Sequence, residues 1–320
     1  MKTAYKLLGN TGVKVSPLCM GTMTFGKEAD EAASRAIFNR CREAGINFFD
    51  CANVYAGGRS EEILGSLIQG CRDELVITSK VFGRVGTDVN AGGASRRHIM
   101  ASVEQSLRRL KTDRIDIYFL HHFDHEADLE DSLRALDDLV GQGKILYPAA
   151  SNFAAWQIMK ARAISRSEGW SPLRCIEPMY NLVKRQAEVE ILPMAAAENL
   201  AVIPYNPLAG GVLTGKYLQD TPPAAGRLLV DSQYQQRYAD PRIAETVKKF
   251  VQFAQENGYR PASLAVAWVS HHPAVTAPIL GARSTEQLED SLQSLEIDMT
   301  PELYRQVSEL SVAPPLATDR

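Results

Sequence analysis

Two hydrophobic rhythms alternate along the chain. Short apolar runs of four to six residues recur at 15–20, 47–50, 75–80, 115–120, 144–149, 174–177, 200–204 and 275–280. Runs of this length, rich in β-branched and aromatic residues, read as buried strands. Between them the period changes. Ile99, Val103, Leu107 and Leu110 fall at helical spacing within 95–110, where Ser95 is a natural N-cap. Further helical stretches are expected at 30–44 (stopped by Gly45), 130–140, 154–164, 188–198 and 261–270. Strands separated by helices pair in parallel, because a tight turn cannot join parallel neighbours. Eight such units predict a closed (β/α)8 TIM barrel, with a doubly wound open sheet as the alternative. The stretch 216–240, holding Pro222, Pro223 and Gly226, reads as a long irregular loop over the C-terminal face.

Composition narrows the setting. A chain of 320 residues, 45% apolar and 23% charged, fits one barrel domain over 1–320. A net charge of −3 offers no basic field for nucleic acid or an anionic membrane. No apolar run approaches the roughly 20 residues that span a bilayer, and Met1 to Lys6 lack the features of a secretory signal. Cys19, Cys41, Cys51, Cys71 and Cys175 are scattered, without CxxC spacing or a zinc pattern. A reducing cytoplasm and no metal are the expectation.

Barrel chemistry sits at the C-terminal ends of the strands. Asp50 ends the second run, Lys80 the third, His121 follows the fourth, and Tyr55 lies five residues after Asp50. Each alone has an ordinary reading: a strand-end aspartate caps a turn, and a lysine or tyrosine snorkels. Their convergence on one mouth points to proton transfer. A tyrosine hydroxyl, ordinarily titrating at about 10, is expected to be lowered by a nearby ammonium. Asp50 keeps Lys80 charged, and His121 orients a substrate oxygen.

The motifs form an ordered set. Leu8 to Met23, Phe48-Phe49-Asp50-Cys51-Ala52-Asn53-Val54-Tyr55 with Ser60-Glu61-Glu62-Ile63-Leu64-Gly65, Asp116 to His121, Ala150-Ser151-Asn152-Phe153 and Pro207 to Tyr217 follow one another along nearly the whole chain. Together they resemble the aldo-keto reductase family. The resemblance implies an N-terminal β-hairpin before the barrel and a catalytic tetrad of Asp50, Tyr55, Lys80 and His121, with Tyr55 as proton donor. It implies NADPH/NADP+ as cofactor, approached by Gly21, Thr22, Met23 and Asp50. Ser151 and Asn152 hold the carboxamide beside Glu177, and Tyr205 stacks on the ring. Asn206, Pro207, Leu208, Gly210, Gly211 and Lys216 follow the pyrophosphate. Gly281, Arg283, Ser284, Gln287, Asp290 and Ser291 take the adenosine phosphate end.

The residues bear on that end independently. No GxGxxG opens a helix after a strand, so a Rossmann site is not supported. Gly210 to Tyr217 mimics a P-loop but has Tyr217 where a magnesium-binding Ser or Thr belongs. A glycine-rich loop after the seventh strand still suits a pyrophosphate, with Lys216 as charge partner. The turn 280–288 enters a helix, whose N-terminus favours anions. There Arg283 offers paired donors to a phosphate monoester; the family resemblance assigns it the 2′-phosphate and so implies NADPH over NADH. The bland alternative is a surface arginine beside a capping Ser284. At 290–291 the family usually has an acid followed by asparagine, so Ser291 is expected to weaken the adenine contact. Glu177 replaces a usual glutamine. Ionised, it accepts but cannot donate, and its charge is expected to favour NADP+ over NADPH; protonated, it mimics glutamine. Asn206 replaces a common serine and Cys51 a common threonine.

The leading expectation is a reversible NADPH-dependent reduction of an aldehyde or ketone to an alcohol. A cofactor-binding regulatory or redox-sensing subunit is the second reading, since some relatives of this fold work beside ion channels. A metal-dependent isomerase is the third, weakened because His122, Asp124 and His125 fall in a loop beyond His121. Met23, Phe25, Phe82, the loop near Phe123 and 216–240 are expected to wall the pocket for a small carbonyl or alcohol. They carry no charge code, and no apolar stripe indicates an oligomeric state.

Overall fold

The computed structural model describes residues 4–219, 223 and 226–318. Met1 to Thr3 and Pro222, used above, lie outside the described residues. The chain opens with an antiparallel pair, β1 (Lys6–Leu7) and β2 (Lys14–Val15), in register Lys6↔Val15. Gly9 in its turn has φ +53°, and a Cβ there would sit 2.8 Å from Ala201 N and Asn199 O. The pair therefore plugs the base of the barrel, and only glycine permits that approach.

Eight parallel strands follow: β3 (Cys19–Gly21), β4 (Phe48–Asp50), β5 (Val76–Val81), β6 (Ile115–Leu120), β7 (Ile145–Ser151), β8 (Cys175–Glu177), β9 (Ala201–Val202) and β10 (Ile279–Leu280). β3 to β9 pair in sequence, and β10 pairs with β3. The last seam is closed by Thr276 N donating to Val202 O (2.8 Å), Ile279 N donating to Pro204 O (2.9 Å) and a parallel Tyr205↔Ile279 bridge. The sheet is a barrel, and the open-sheet alternative falls. The first expected run, 15–20, is split. Pro17 has no N–H to give a ladder, so Val15 belongs to the plug and Cys19 begins the barrel.

Period-two alternation sorts the side chains. Phe48, Val76, Ile117 and Cys175 point into the barrel, while Phe49, Ile77, Tyr118 and Ile176 pack against the helices. Continuing that alternation brings Asp50, Thr78, Lys80 and Glu177 to the inner face at its C-terminal end. Fold and site are thus linked by register.

The helices are α1 (Glu31–Glu43), α2 (Arg59–Leu67), α3 (Arg96–Leu110), α4 (Leu129–Gly141), α5 (Ala155–Glu168), α6 (Ile191–Ala197), α7 (Arg227–Val230), α8 (Ser232–Arg237), α9 (Pro241–Glu256), α10 (Pro261–His271), α11 (Thr285–Leu292) and α12 (Pro301–Glu309). Ser95 caps α3 as expected, accepting from His98 N. Within the expected loop, 227–230 and 232–237 are helical: α7 is followed by α8, which Asp231 starts by accepting from Gln233 N and Tyr234 N. Of the described cysteines, Cys19, Cys41, Cys51 and Cys175 are buried, Cys71 is half-buried, and all are free thiols. Among the described residues no helix is long and apolar enough to cross a membrane.

Candidate active site

Lys80 lies at the centre of the mouth, fully buried. Its Nζ donates to Asp50 Oδ1 at 2.5 Å, Asp50 Oδ2 at 2.6 Å and Cys51 O at 3.0 Å. Thr78, two residues earlier on the same inner face, donates its hydroxyl to Asp50 Oδ1 at 2.5 Å. The sequence reading missed Thr78; its two-residue offset from Lys80 was the available signal. Burial opposes the ammonium, but Asp50, Glu177 and Tyr55 together carry Lys80 well above its ordinary range.

Tyr55 reaches the same nitrogen from the β4–α2 loop, with its Oη 3.4 Å from Lys80 Nζ. That loop is pinned to β5 through Cys51 N to Thr78 O and Asn53 N to Lys80 O, both 3.2 Å. One expectation is corrected here. Burial pushes the Tyr55 hydroxyl well above its ordinary value, and Lys80 offsets only part of that. The phenol is held protonated, as a proton donor must be.

His121 follows β6, its backbone N bonded to Val81 O at 2.9 Å, and its ring meets Tyr55 edge-on at 6.0 Å between centroids. Burial, then Lys80 and His122, hold the imidazole well below its ordinary range, so it is neutral. His122 is exposed and stacks on His121 (5.2 Å) and against Phe82 (5.3 Å). Beyond it, Phe123 packs with Phe153 (5.2 Å), His125 (5.0 Å) and the exposed Trp156 (6.0 Å). Phe25 was expected in this wall and is not: it is fully buried in the helix-side core. Asp124 is spent on loop structure, accepting from Ala94 N and Glu126 N.

Glu177 brings a second carboxylate to the site. It is 3% exposed, and Oε2 lies 3.3 Å from Lys80 Nζ without a directed hydrogen bond. Burial, then Asp50, push its carboxyl well above the ordinary range despite Lys80. Around it, Ser151 donates to Glu177 O (3.0 Å), Asn152 Nδ2 to His121 O (2.9 Å), and Tyr205 Oη to Asn152 Oδ1 (2.8 Å). Asn152 takes φ +58° to point this way. Burial raises Tyr205 to about 12, with Arg237 partly opposing.

Three arms rim the mouth. In the first, Thr22 is buried, bonding to Asp50 O and receiving Ser60 Oγ, while Met23 is exposed. A Cβ on Gly21 would lie 2.7 Å from Ile279 Cγ2, so glycine is required between β3 and β10. In the second arm Asn206 (φ +68°) donates to Tyr238 Oη and accepts from Gly210 N, beside Pro207 and Leu208. Gly210 and Gly211 have φ +67° and +90°, and a Cβ on Gly211 would lie 2.9 Å from Lys216 Nζ. Tyr217, at the failed P-loop position, accepts from Leu228 N. Arg227 spans the gap, donating to Met23 Sδ at 3.6 Å and lying 3.9 Å from Glu28 Oε1.

The third arm is the turn from β10 into α11. Ser284 caps the helix, accepting from Gln287 N, and Gln287 Oε1 accepts from Arg283 N. Around Gly281 is open space. Asp290 is solvent-accessible but paired with Arg260 at 2.5 Å, and Ser291 is buried, 1% exposed. Burial, then the charge of Arg283, lower Lys216. Two cations on different arms are thus close enough for their charges to interact. Among the described residues neither has a carboxylate partner.

A parallel barrel with a lysine, aspartate, tyrosine and histidine at its C-terminal mouth is the frame of a family of oxidoreductases. The chain belongs to the aldo/keto reductase family, whose model matches residues 17–312. It is 35% identical to an uncharacterised oxidoreductase, YrpG, of Bacillus subtilis, over 97% of this chain and 96% of that protein. It is 33% identical to a probable voltage-gated potassium channel subunit beta of Oryza sativa, over 98% of each. With norsolorinic acid reductase of Aspergillus flavus it shares 31% identity, over 95% of this chain and 79% of that one.

Proposed function

We propose that this oxidoreductase reduces an aldehyde or ketone with NADPH, reversibly, with Tyr55 as general acid. The observation that carries the reading is the cluster itself: a protonated phenol, a buried ammonium and a neutral imidazole meeting at one point of the mouth. A bound nicotinamide supplies the hydride. Tyr55 Oη gives its proton to the substrate oxygen as negative charge develops there, and the Lys80 ammonium stabilises the tyrosinate left behind. His121, neutral, donates a hydrogen bond that aims the carbonyl oxygen. Asp50 keeps Lys80 charged.

The cofactor's anionic groups suit the two cations Lys216 and Arg283. Like charges brought together without a counter-ion are unfavourable, and a pyrophosphate with a 2′-phosphate relieves both Lys216 and Arg283. Open space at Gly281 and the capped α11 N-terminus accommodate that end. Ser151, Asn152 and Glu177 would hold the carboxamide against Tyr205. The aromatic wall of Phe82, His122, Phe123 and Trp156 favours a flat or apolar carbonyl over a charged one.

Fluorescence titration with NADPH and NADH, on wild type and Arg283→Ala, tests this. Tight NADPH binding, weaker NADH binding and loss of that difference in the variant are expected. Binding of neither nucleotide removes the reductase reading. The potassium-channel-subunit relatives favour a second reading, a cofactor-bound regulatory subunit. Nucleotide binding with no turnover across a carbonyl panel would favour it.

A further inference from the structure

Two buried carboxylates share one ammonium in this site, and the reaction as described uses only one of them. Asp50 and Glu177 both contact Lys80 Nζ, from opposite sides of the barrel, on β4 and β8. A single buried positive charge does not balance two buried negative ones, so one carboxyl retains its proton. Asp50 has two directed bonds from Lys80 and one from Thr78. Glu177 Oε2 has only its 3.3 Å approach to Lys80 Nζ, outside directed hydrogen-bond geometry. The proton therefore belongs on Glu177.

The remaining titratable groups around it support that placement. Cys19 on β3 and Cys175 on β8 are buried thiols pushed up by burial and by these same carboxylates. Tyr55 and Tyr205 are both raised. His121 is neutral, the charge of Arg237 acts on Tyr205, and the cation in contact with Glu177 is Lys80. Its Nζ lies 3.3 Å from Glu177 Oε2 and 3.4 Å from Tyr55 Oη, so it connects the two.

We propose that Glu177 is a proton-holding residue coupled to the redox state of the nicotinamide, neutral beside the reduced ring and ionised beside the oxidised one, its proton passing through Lys80 Nζ to Tyr55 Oη. The inference rests on the reductase reading. The steps balance. The Tyr55 O–H bond breaks as the substrate O–H bond forms. A Lys80 N–H then breaks and Tyr55 O–H re-forms. The Glu177 O–H breaks last, and Lys80 regains its proton. The hydride carries its electron pair to the carbonyl carbon. The ring gains one positive charge while Glu177 gains one negative charge, so the net charge of the mouth is unchanged. Glutamine at this position has no proton of that kind to give. Glu177 acts through Lys80, as a positioning and proton-holding residue.

Binding alone tests this. Calorimetric titration in two buffers of different ionisation enthalpy counts the protons released by NADP+ and by NADPH. The 2′-phosphate is common to both and cancels. Wild type is expected to release about one proton more with NADP+ than with NADPH near neutral pH. Glu177→Gln, nearly the same in shape, is expected to abolish that difference while binding both nucleotides. In wild type, the infrared C=O stretch of a protonated carboxyl should vanish in the NADP+ complex and persist with NADPH, which keeps the test alive if the variant misfolds. Equal proton release in wild type, or a difference that persists in E177Q, overturns the inference and leaves the reductase reading intact. Failure of both nucleotides to bind overturns the reductase reading itself.

Discussion

The sharing of Lys80 by Asp50 and Glu177 has a measurable energetic signature. Consider Asp50→Asn, which keeps the shape and removes a charge whose oxygens sit at 2.5 and 2.6 Å from Nζ. At an effective dielectric of about 20, a unit pair at that distance is worth about 6 kcal/mol, and one at the 3.3 Å of Glu177 about 5 kcal/mol. With Asp50 gone, Glu177 no longer faces its like charge and ionises to become the counter-ion. D50N alone is then expected to cost about 2 kcal/mol, chiefly the residual ionisation of a buried carboxyl. E177Q alone removes a neutral group and is expected to cost under about 1 kcal/mol. The double variant strands the ammonium in a dry barrel, at about 3–5 kcal/mol. Asparagine keeps an oxygen that can accept from the Thr78 hydroxyl, so that bond does not enter the cycle. Urea unfolding of all four proteins, by tryptophan fluorescence and circular dichroism with coincident transitions, reads the coupling. A non-additivity of about 1–2 kcal/mol is expected. Additivity within about 0.5 kcal/mol would mean that Glu177 does not replace Asp50, and the shared counter-ion argument would be wrong.

Other expectations follow from the same geometry. Tyr55→Phe should lower kcat/KM by about 10²- to 10⁴-fold on any accepted carbonyl while leaving the NADPH dissociation constant unmoved; a loss carried by KM alone would refute the proton-donor role. Away from the mouth, fully buried Glu61 accepts from Ser79 (2.5 Å) and Arg109 (2.7 Å), tying α2 to β5 and α3. Arg109→Ala leaves that carboxylate without its cation and should cost about 3–5 kcal/mol in urea unfolding. His121 is held neutral below its ordinary 6.5, so the unfolded chain binds the extra proton. Its contribution to stability is present above pH 6.5 and is lost as pH falls below it. Unfolding midpoints measured from pH 7.5 to 5 should decline less steeply in His121→Gln; parallel declines would contradict the assignment.

Much of this molecule was legible from its sequence because strand register does two jobs at once. The alternation that sends Phe48, Val76 and Cys175 inward also aims Asp50, Lys80 and Glu177, so apolar runs located the polar site. Asp240-Pro241 and Thr300-Pro301 are N-cap and N1 pairs that announce α9 and α12. Neither pair adjoins an apolar strand run, so the strand pattern does not point to them. What sequence did not carry was long-range burial. Phe25 looked like a pocket wall until the core around it was visible, and Tyr55 looked like an acidified phenol until desolvation could be weighed against Lys80. The strap made by Arg227, Met23 and Glu28 joins positions about 200 residues apart, which no local pattern specifies.

The thiols described with the fold have a consequence for survival in reactive company. Aldehydes and their unsaturated relatives modify proteins through the thiolate, and burial keeps Cys41 and Cys51 protonated, Cys51 pushed up to about 12. Cys19 and Cys175 are likewise sealed inside the barrel. Among the described residues only Cys71 is within reach of solvent, and burial raises it too, with Arg42 opposing. The carbonyl substrates proposed above would therefore meet almost no nucleophilic sulfur on this protein. For the experimenter the same pattern makes Cys71 a natural single attachment point for a spectroscopic label, with no cysteine removed.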